Sequence, residues 1–143
     1  MKFLCLYKPA KPEDIPPTEQ EMAEMGQLIE KSMKSGMLLA TEGCLPSAKG
    51  ARVRLSQGKF TVTDGPFTEA KEVIGGFALI QAKSKEEATE FIKTFLKTAG
   101  DGEVEIRQIF EGSEHARESY SPDAAAREHA SLISQWPPES GKR

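Results

Sequence analysis

Two stretches of the chain repeat apolar side chains at three- and four-residue intervals, which predicts an amphipathic helix in each. The first follows the capping box Thr18-Glu19-Gln20-Glu21 and is expected to end near Ser35, before Gly36. Its stripe is rich in methionine, which suits either an adaptable binding groove or a core-facing surface with irregular gaps, and we favour the core-facing interpretation. The stripe consists of Met22, Met25, Leu28, Ile29 and Met33.

The second helix has the clearest amphipathic pattern in the chain. It follows another capping box, Ser84-Lys85-Glu86-Glu87, and is expected to end at Gly100. Its apolar face carries Ala88, Phe91, Ile92, Phe95, Leu96 and Ala99.

Shorter apolar or alternating runs predict strands. One pair of runs is separated by Gln57-Gly58, where a tight turn would place its glycine, and therefore predicts a hairpin. Gly75-Gly76, near the start of another run, predicts a bulge or the close approach of a second backbone. The predicted strands cover residues 2–8, 37–41, 52–55, 59–63, 74–82 and 103–110.

The order of these elements predicts an α+β, ferredoxin-like fold, with helices on one face of a largely antiparallel sheet. The runs at residues 2–8 and 74–82 are apolar on both faces, so the second face of the sheet also needs a cover. A second copy of the chain in a two-fold dimer is the simplest cover. The fold prediction is therefore a dimeric α/β barrel.

The composition of the chain changes near its end. Residues 1–111 are expected to form the domain, and residues 112–136 an appended polar segment and helix that starts at Ser121-Pro122. Residues 137–143 are expected to be a disordered tail.

Charge and cysteine content exclude several functional classes. A net charge of −3, with acidic and basic residues interspersed, offers no stripe for nucleic-acid phosphates. Cys5 and Cys44 lack the spacing of a metal or redox pair and are expected to be at least partly buried; no metal site and no cofactor is predicted. Because no apolar run is long enough for a signal peptide or a membrane span, we expect a cytoplasmic protein.

Residues 64–72 place several polar groups between two predicted strands. Asp64 suits a general base or a ligand acceptor, but Asp before Gly-Pro also suits a turn, and we favour the turn. Lys71 and Glu72 precede a buried strand and would bind a small anion or polarise a carbonyl; a solvated surface with weak ion pairing is the equal alternative.

Three residues of the predicted strands are further candidates. Arg52 and Arg54 share one strand face, and we expect Arg52 to form ion pairs with Glu103 or Glu105, whereas Arg54 stays a candidate ligand contact. Tyr7 could present its hydroxyl to a pocket, although a rim or core tyrosine is commoner.

The chain resembles the YCII-related family, in the branch named for its Asp-Gly-Pro-Phe motif. The resemblance rests on residues 62–72 and on Gly75-Gly76-Phe77, and it covers residues 1 to 111. It implies a ferredoxin-like fold in a dimeric barrel and a deep pocket beside the motif. It does not imply a known reaction, because most members of the branch have no established activity.

Two functions follow from the resemblance. The first is a homodimer that binds a small molecule at Asp64, Lys71, Glu72, Arg54 and Tyr7, with a lyase-like reaction left open. Related lyase-like enzymes act on chlorinated aromatics and are thought to use a His-Asp pair, whereas here His115 and His129 lie after the domain. The alternative is a regulatory module that works with a sigma factor of the extracytoplasmic-function type.

Overall fold

The computed structural model describes residues 1–67 and 72–111, together with Arg127 and Ala130. Met1–Ile109 form one compact unit. Apart from Arg127 and Ala130, the predicted appended helix and tail lie outside the described residues. In chain order, the described elements are β1 (Lys2–Pro9), α1 (Glu19–Lys34), β2 (Leu38–Gly43), a 3-10 turn (Ser47–Lys49), β3 (Ala51–Ser56), β4 (Lys59–Asp64), β5 (Gly76–Gln81), α2 (Lys85–Ala99) and β6 (Gly102–Gln108).

Both helices have the predicted termini. The hydroxyl of Thr18 accepts a hydrogen bond from the backbone N–H of Glu21, and Ser84 does the same for Glu87. At the end of α2, Gly100 has a φ of 98°, a conformation that favours glycine.

Four strands form one antiparallel sheet in the order β2-β5-β1-β6. Numbered among themselves these strands lie in the order 2-3-1-4, the arrangement that two antiparallel βαβ halves produce, so the ferredoxin-like prediction is confirmed. The β3–β4 hairpin is a separate two-stranded sheet, and its turn residues Gln57 and Gly58 have φ values of 51° and 79°.

The core lies between the two helices and one face of the four-stranded sheet. Phe3 and Ile80 are paired across β1 and β5 and are 1% and 0% exposed. Ala88 and Ile92 of α2 complete the buried cluster from the helical side. The other residues of the cluster are Cys5, Leu38 and Ala82, with Ile29 of α1 packed against them.

Candidate functional site

A cavity of 840 Å³ lies between the two helices and one end of the four-stranded sheet. Its size is within the range of small-molecule sites. Most of the side chains that line it are apolar, and they come from the sheet, from both helices and from the segments 11–17 and 43–46. They include Cys5, Ala78 and Val104 of the sheet, Met22, Met25 and Ile29 of α1, and Phe91 and Phe95 of α2.

The methionine stripe of α1 does not face the core, contrary to the prediction. Met22 and Met33 are 54% and 45% exposed, and of the predicted stripe Ile29 is the residue that packs on the core cluster. Met22 and Met25 line the cavity instead. The first half of the helix therefore covers a cavity.

Two glycines allow strands to approach closely at this end of the sheet. The N–H of Gly75 donates to the carbonyl of Tyr7 at 2.7 Å, and its own carbonyl accepts from the N–H of Cys44 at 2.8 Å. A Cβ on Gly75 would lie 2.9 Å from the Cδ of Pro9, and one on Gly76 would lie 2.9 Å from the carbonyl oxygen of Glu42. The predicted close backbone approach at these two positions is confirmed.

Tyr7 lies at the edge of the cavity. Its ring meets that of Phe95 edge to face, with centroids 5.2 Å apart. Its hydroxyl is 3.5 Å from each of the carbonyl oxygens of Ala99, Gly100 and Asp101, at the carboxyl end of α2. Burial, followed by the negative charges of Asp101 and Glu21, raises the pKa of Tyr7. The hydroxyl is therefore protonated at neutral pH.

Residues 11–17, which line the cavity and are called its mouth segment below, are held through the contact between Glu13 and Ser47. The carboxylate of Glu13 accepts one hydrogen bond from the backbone N–H of Ser47 at 2.7 Å and another from its hydroxyl at 2.6 Å. The same hydroxyl, on a residue that is 8% exposed, accepts the N–H of Phe67 at 3.1 Å. Ser47 thus joins the mouth of the cavity to the Asp64–Phe67 motif.

Sequence reasoning missed this pair. Glu13 and Ser47 are 34 residues apart and both lie in proline-containing loops without periodicity. No local pattern marks them, because their contact is created by the packing of two loops.

The residues predicted to contact a ligand lie in different places. Tyr7 lines the cavity, whereas Asp64, Arg54 and Glu72 are exposed and outside its lining. Asp64 ends β4 opposite Ala51, and Gly65 follows it with its N–H bonded to the carbonyl of Gly50 at 3.0 Å. Lys71 lies outside the described residues. The roles of these four residues as ligand contacts stay predictions.

The prediction for Arg52 is wrong. Its guanidinium stacks on the ring of Phe67, 4.0 Å from the centroid, because the hairpin is separate from the sheet that carries β6. Glu105 instead pairs with Lys8 at 3.4 Å and with Arg107 at 3.1 Å. Hydrogen bonds from Arg107 and Lys8 lower the pKa of Glu105.

The two cysteines differ, and the prediction of burial holds for one of them. Cys5 is 2% exposed in the core, and burial raises its pKa to about 11. Cys44, which directly follows β2, is exposed and lines the cavity, contrary to expectation.

In the described parts of the chain, no group of three or more His, Cys, Asp or Glu side chains is placed to hold a metal ion. Neither α1 nor α2 has the length and apolar character to cross a membrane.

The fold and the cavity define a ferredoxin-like α+β protein with an apolar space under its helices. More particularly, the chain belongs to the YCII-related domain family, whose model matches residues 1–113. The resemblance recognised from the Asp64–Phe67 motif is thereby confirmed.

Known proteins that are similar to this chain include the following two. An uncharacterized protein of Rhizobium meliloti (strain 1021) is 32% identical over 92 residues, which cover 64% of this chain and 74% of that protein. A solved structure of 5-chloro-2-hydroxyhydroquinone dehydrochlorinase from Burkholderia phenoliruptrix AC1100, in complex with 2,5-dihydroxybenzoquinone, has 17% identity and a TM-score of 0.48, with 80% of this chain and 98% of that chain covered. This second likeness is too distant to carry chemistry from one protein to the other.

Proposed function

We propose that this protein binds a small, largely apolar molecule in the cavity between its helices and sheet. The observation that carries the proposal is the cavity itself, which has 840 Å³ of space and a mainly aliphatic and aromatic lining. Apolar burial supplies the affinity, and the few polar groups at the rim set the orientation of the ligand.

The proposal includes no reaction. Tyr7 is the hydroxyl-bearing aromatic residue of the lining, and its raised pKa makes it a neutral hydrogen-bonding group rather than a base at neutral pH. A lyase-like step would need a base from another residue: carboxylates such as that of Glu42 line the cavity, whereas Lys71, His115 and His129 lie outside the described residues.

Gly26 offers a direct test of the cavity. It lies on α1 in the lining, and a Cβ placed on it would meet no atom within 4 Å. Gly26→Trp should therefore fill the space without a backbone clash. Ala23→Trp is the matched control, because Ala23 lies on the same helix and is exposed like Gly26, but is outside the lining.

The measurement is a titration with N-phenyl-1-naphthylamine, a neutral probe that fluoresces in apolar surroundings. We expect saturable binding to the wild type and to Ala23→Trp, and loss of most of the signal in Gly26→Trp. Equal binding by all three proteins would refute the cavity as the site, provided that their melting temperatures agree within a few degrees.

We also propose that the protein is a homodimer in solution. Leu4, Leu6 and Leu79 lie on the sheet face opposite the core cluster, and each is only partly buried in the single chain. A face of this kind is commonly covered by a second copy related by a two-fold axis. Leu6→Glu should yield monomers by light scattering coupled to size exclusion, whereas Met33→Glu, at an exposed position of α1, should leave the mass unchanged.

The regulatory alternative, partnership with an extracytoplasmic-function sigma factor, stays a prediction. Such a module would bind its partner through the strand edges or through the segment after residue 111, in which the structure describes only Arg127 and Ala130. Deletion of residues 115–143 should abolish capture of such a factor if the segment is the contact. Capture that survives the deletion would reject that role.

A further inference from the structure

We propose that the cavity selects an organic amine over a carboxylate of the same size, with the ammonium group beside the hydroxyl of Tyr7. This inference rests on the proposed function, since it names the ligand class of the same cavity. The site is the cavity, and the charges described below determine which ligands it prefers.

Tyr7 is one of the polar residues that line the cavity. A second, adjoining cavity of 490 Å³ is also lined by this residue. The two spaces share Tyr7, Lys11, Glu21, Thr98 and Ala99 in their linings. A ligand whose apolar body fills the larger space would therefore place a polar substituent at this boundary.

The hydroxyl of Tyr7 is arranged to accept a hydrogen bond from a ligand. It has one proton, and the surrounding carbonyl oxygens of Ala99, Gly100 and Asp101 each lie 3.5 Å away and can only accept it. Its lone pairs are then available to a donor such as an ammonium group. A carboxylate has no proton to donate and would face these carbonyl oxygens at the negative end of the α2 dipole.

Side-chain charges act in the same direction. Glu21 and Asp101 line the adjoining cavity, where Lys11 is the one cationic side chain among the described lining residues. Lys11 is already 3.3 Å from Glu21, and both side chains are about two-fifths exposed, at 40% and 44%, so this pair is weakened by solvent. The carboxylate of Asp101 keeps the local charge negative.

The aromatic wall favours a cation as well. Tyr7 and Phe95 form an edge-to-face pair in the lining of the larger cavity, and Phe91 lies on the same helix as Phe95. An ammonium group over a ring face is attracted by the ring quadrupole, whereas a carboxylate is not. Carbonyl oxygens, carboxylates and aromatic rings of the two linings thus each favour an amine over a carboxylate.

The test compares three naphthalene compounds that differ in one substituent: 1-naphthylmethylamine, 1-naphthylmethanol and 1-naphthoate. Each is titrated at pH 7 as a competitor of N-phenyl-1-naphthylamine. We expect the amine to bind roughly tenfold more tightly than the carboxylate, which corresponds to about 1.4 kcal/mol, with the alcohol between them. Added salt should reduce this ratio, because the boundary is partly exposed.

Charge variants test whether the charges beside Tyr7 cause the difference in affinity between the amine and the carboxylate. The double variant Glu21→Gln/Asp101→Asn should reduce the ratio to about threefold or less, and Lys11→Gln should increase it. Glu24→Gln is the control, because Glu24 lies on the same helix outside both linings. Thermal melts of every variant check that the fold is kept.

The outcomes are distinct. Equal or tighter binding of the carboxylate, or an unchanged ratio in the double variant, overturns the amine preference and leaves the cavity as a binding site. If the fluorescent probe itself does not bind, or binds equally to Gly26→Trp, the proposed function fails and the amine preference fails with it.

Discussion

The four-stranded sheet and the β3–β4 hairpin differ in how deeply their residues are buried and in how close they lie, along the chain, to the motif that identifies the family. The sheet packs one face on two helices and contains fully buried residues such as Ile80. Every residue of both hairpin strands is exposed in the single chain, including Val53 and Val62 at 68% and 63%. Yet the hairpin leads directly into the Asp64–Phe67 motif, by which the family is recognised.

The Asp64–Phe67 motif therefore lies outside the lining of the cavity, although Gly75, Gly76 and Phe77, on which the resemblance also rests, are part of that lining. An isolated two-stranded hairpin is marginal in water, so the motif needs support from elsewhere in the chain. That support is visible at Ser47, which contacts Gly65 through its carbonyl and Phe67 through its hydroxyl. The motif holds the loop at the cavity mouth, and the sheet and helices enclose the space.

The largest expected effect compares the two regions directly. Ile80→Ala removes a side chain that is 0% exposed, and we expect the free energy of unfolding to fall by about 4 kcal/mol. Val53→Ala, at a position that is 68% exposed, should change it by less than about 0.5 kcal/mol. Urea denaturation followed by circular dichroism measures both. A cost at Val53 approaching that at Ile80 would mean that the hairpin is buried in solution, as in a dimer.

The contrast also explains what the sequence could and could not predict. The helices, the turn at Gln57-Gly58 and the close contact at Gly75-Gly76 follow from local patterns, and all three predictions are confirmed. The prediction of a salt bridge for Arg52 is wrong. The alternation of polar and apolar residues shows which side chains share a strand face, but it does not show which sheet the hairpin joins.

The site was less predictable than the fold for a similar reason. The periodicity of Met22 and Met25 is the same whether a helix covers a packed core or a cavity, so the space beneath them leaves no mark in the sequence. The bonds between Glu13 and Ser47 likewise depend on the packing of distant loops.

The second prediction concerns the contact between the motif and its support. A Cβ on Gly65 would overlap the carbonyl oxygen of Ser47, which is backbone and cannot rotate away. We expect Gly65→Ala to cost about 2 to 3 kcal/mol of unfolding free energy. Gly26→Ala is the control, because its Cβ meets nothing within 4 Å and a helical alanine should stabilise by about 0.5 to 1 kcal/mol. If Gly65→Ala leaves the free energy of unfolding unchanged, the motif is not held against Ser47.

The third prediction tests whether Ser47 connects the motif to the cavity. Ser47→Ala removes the hydroxyl bonds to Glu13 and Phe67 but keeps the backbone bond to Glu13, so we expect a cost of about 1.5 kcal/mol. It should also speed the release of N-phenyl-1-naphthylamine in stopped-flow measurements, because the mouth segment is held less firmly. Ser56→Ala, at an exposed hairpin position, should alter neither quantity. Lower stability with an unchanged release rate would confine Ser47 to a structural role.

The smallest expected effect lies on the exposed face of the hairpin. The guanidinium of Arg52 stacks on Phe67 at 4.0 Å, whereas Arg54 makes no ring contact of this kind among the described residues. Because stacking at an exposed site contributes about 0.5 to 1 kcal/mol, Arg52→Ala should cost about that much and Arg54→Ala less. A double-mutant cycle with Phe67→Leu isolates the pair, since that change removes the ring and keeps an apolar side chain. A coupling energy near zero would mean that the hairpin is tied to the motif by its backbone alone.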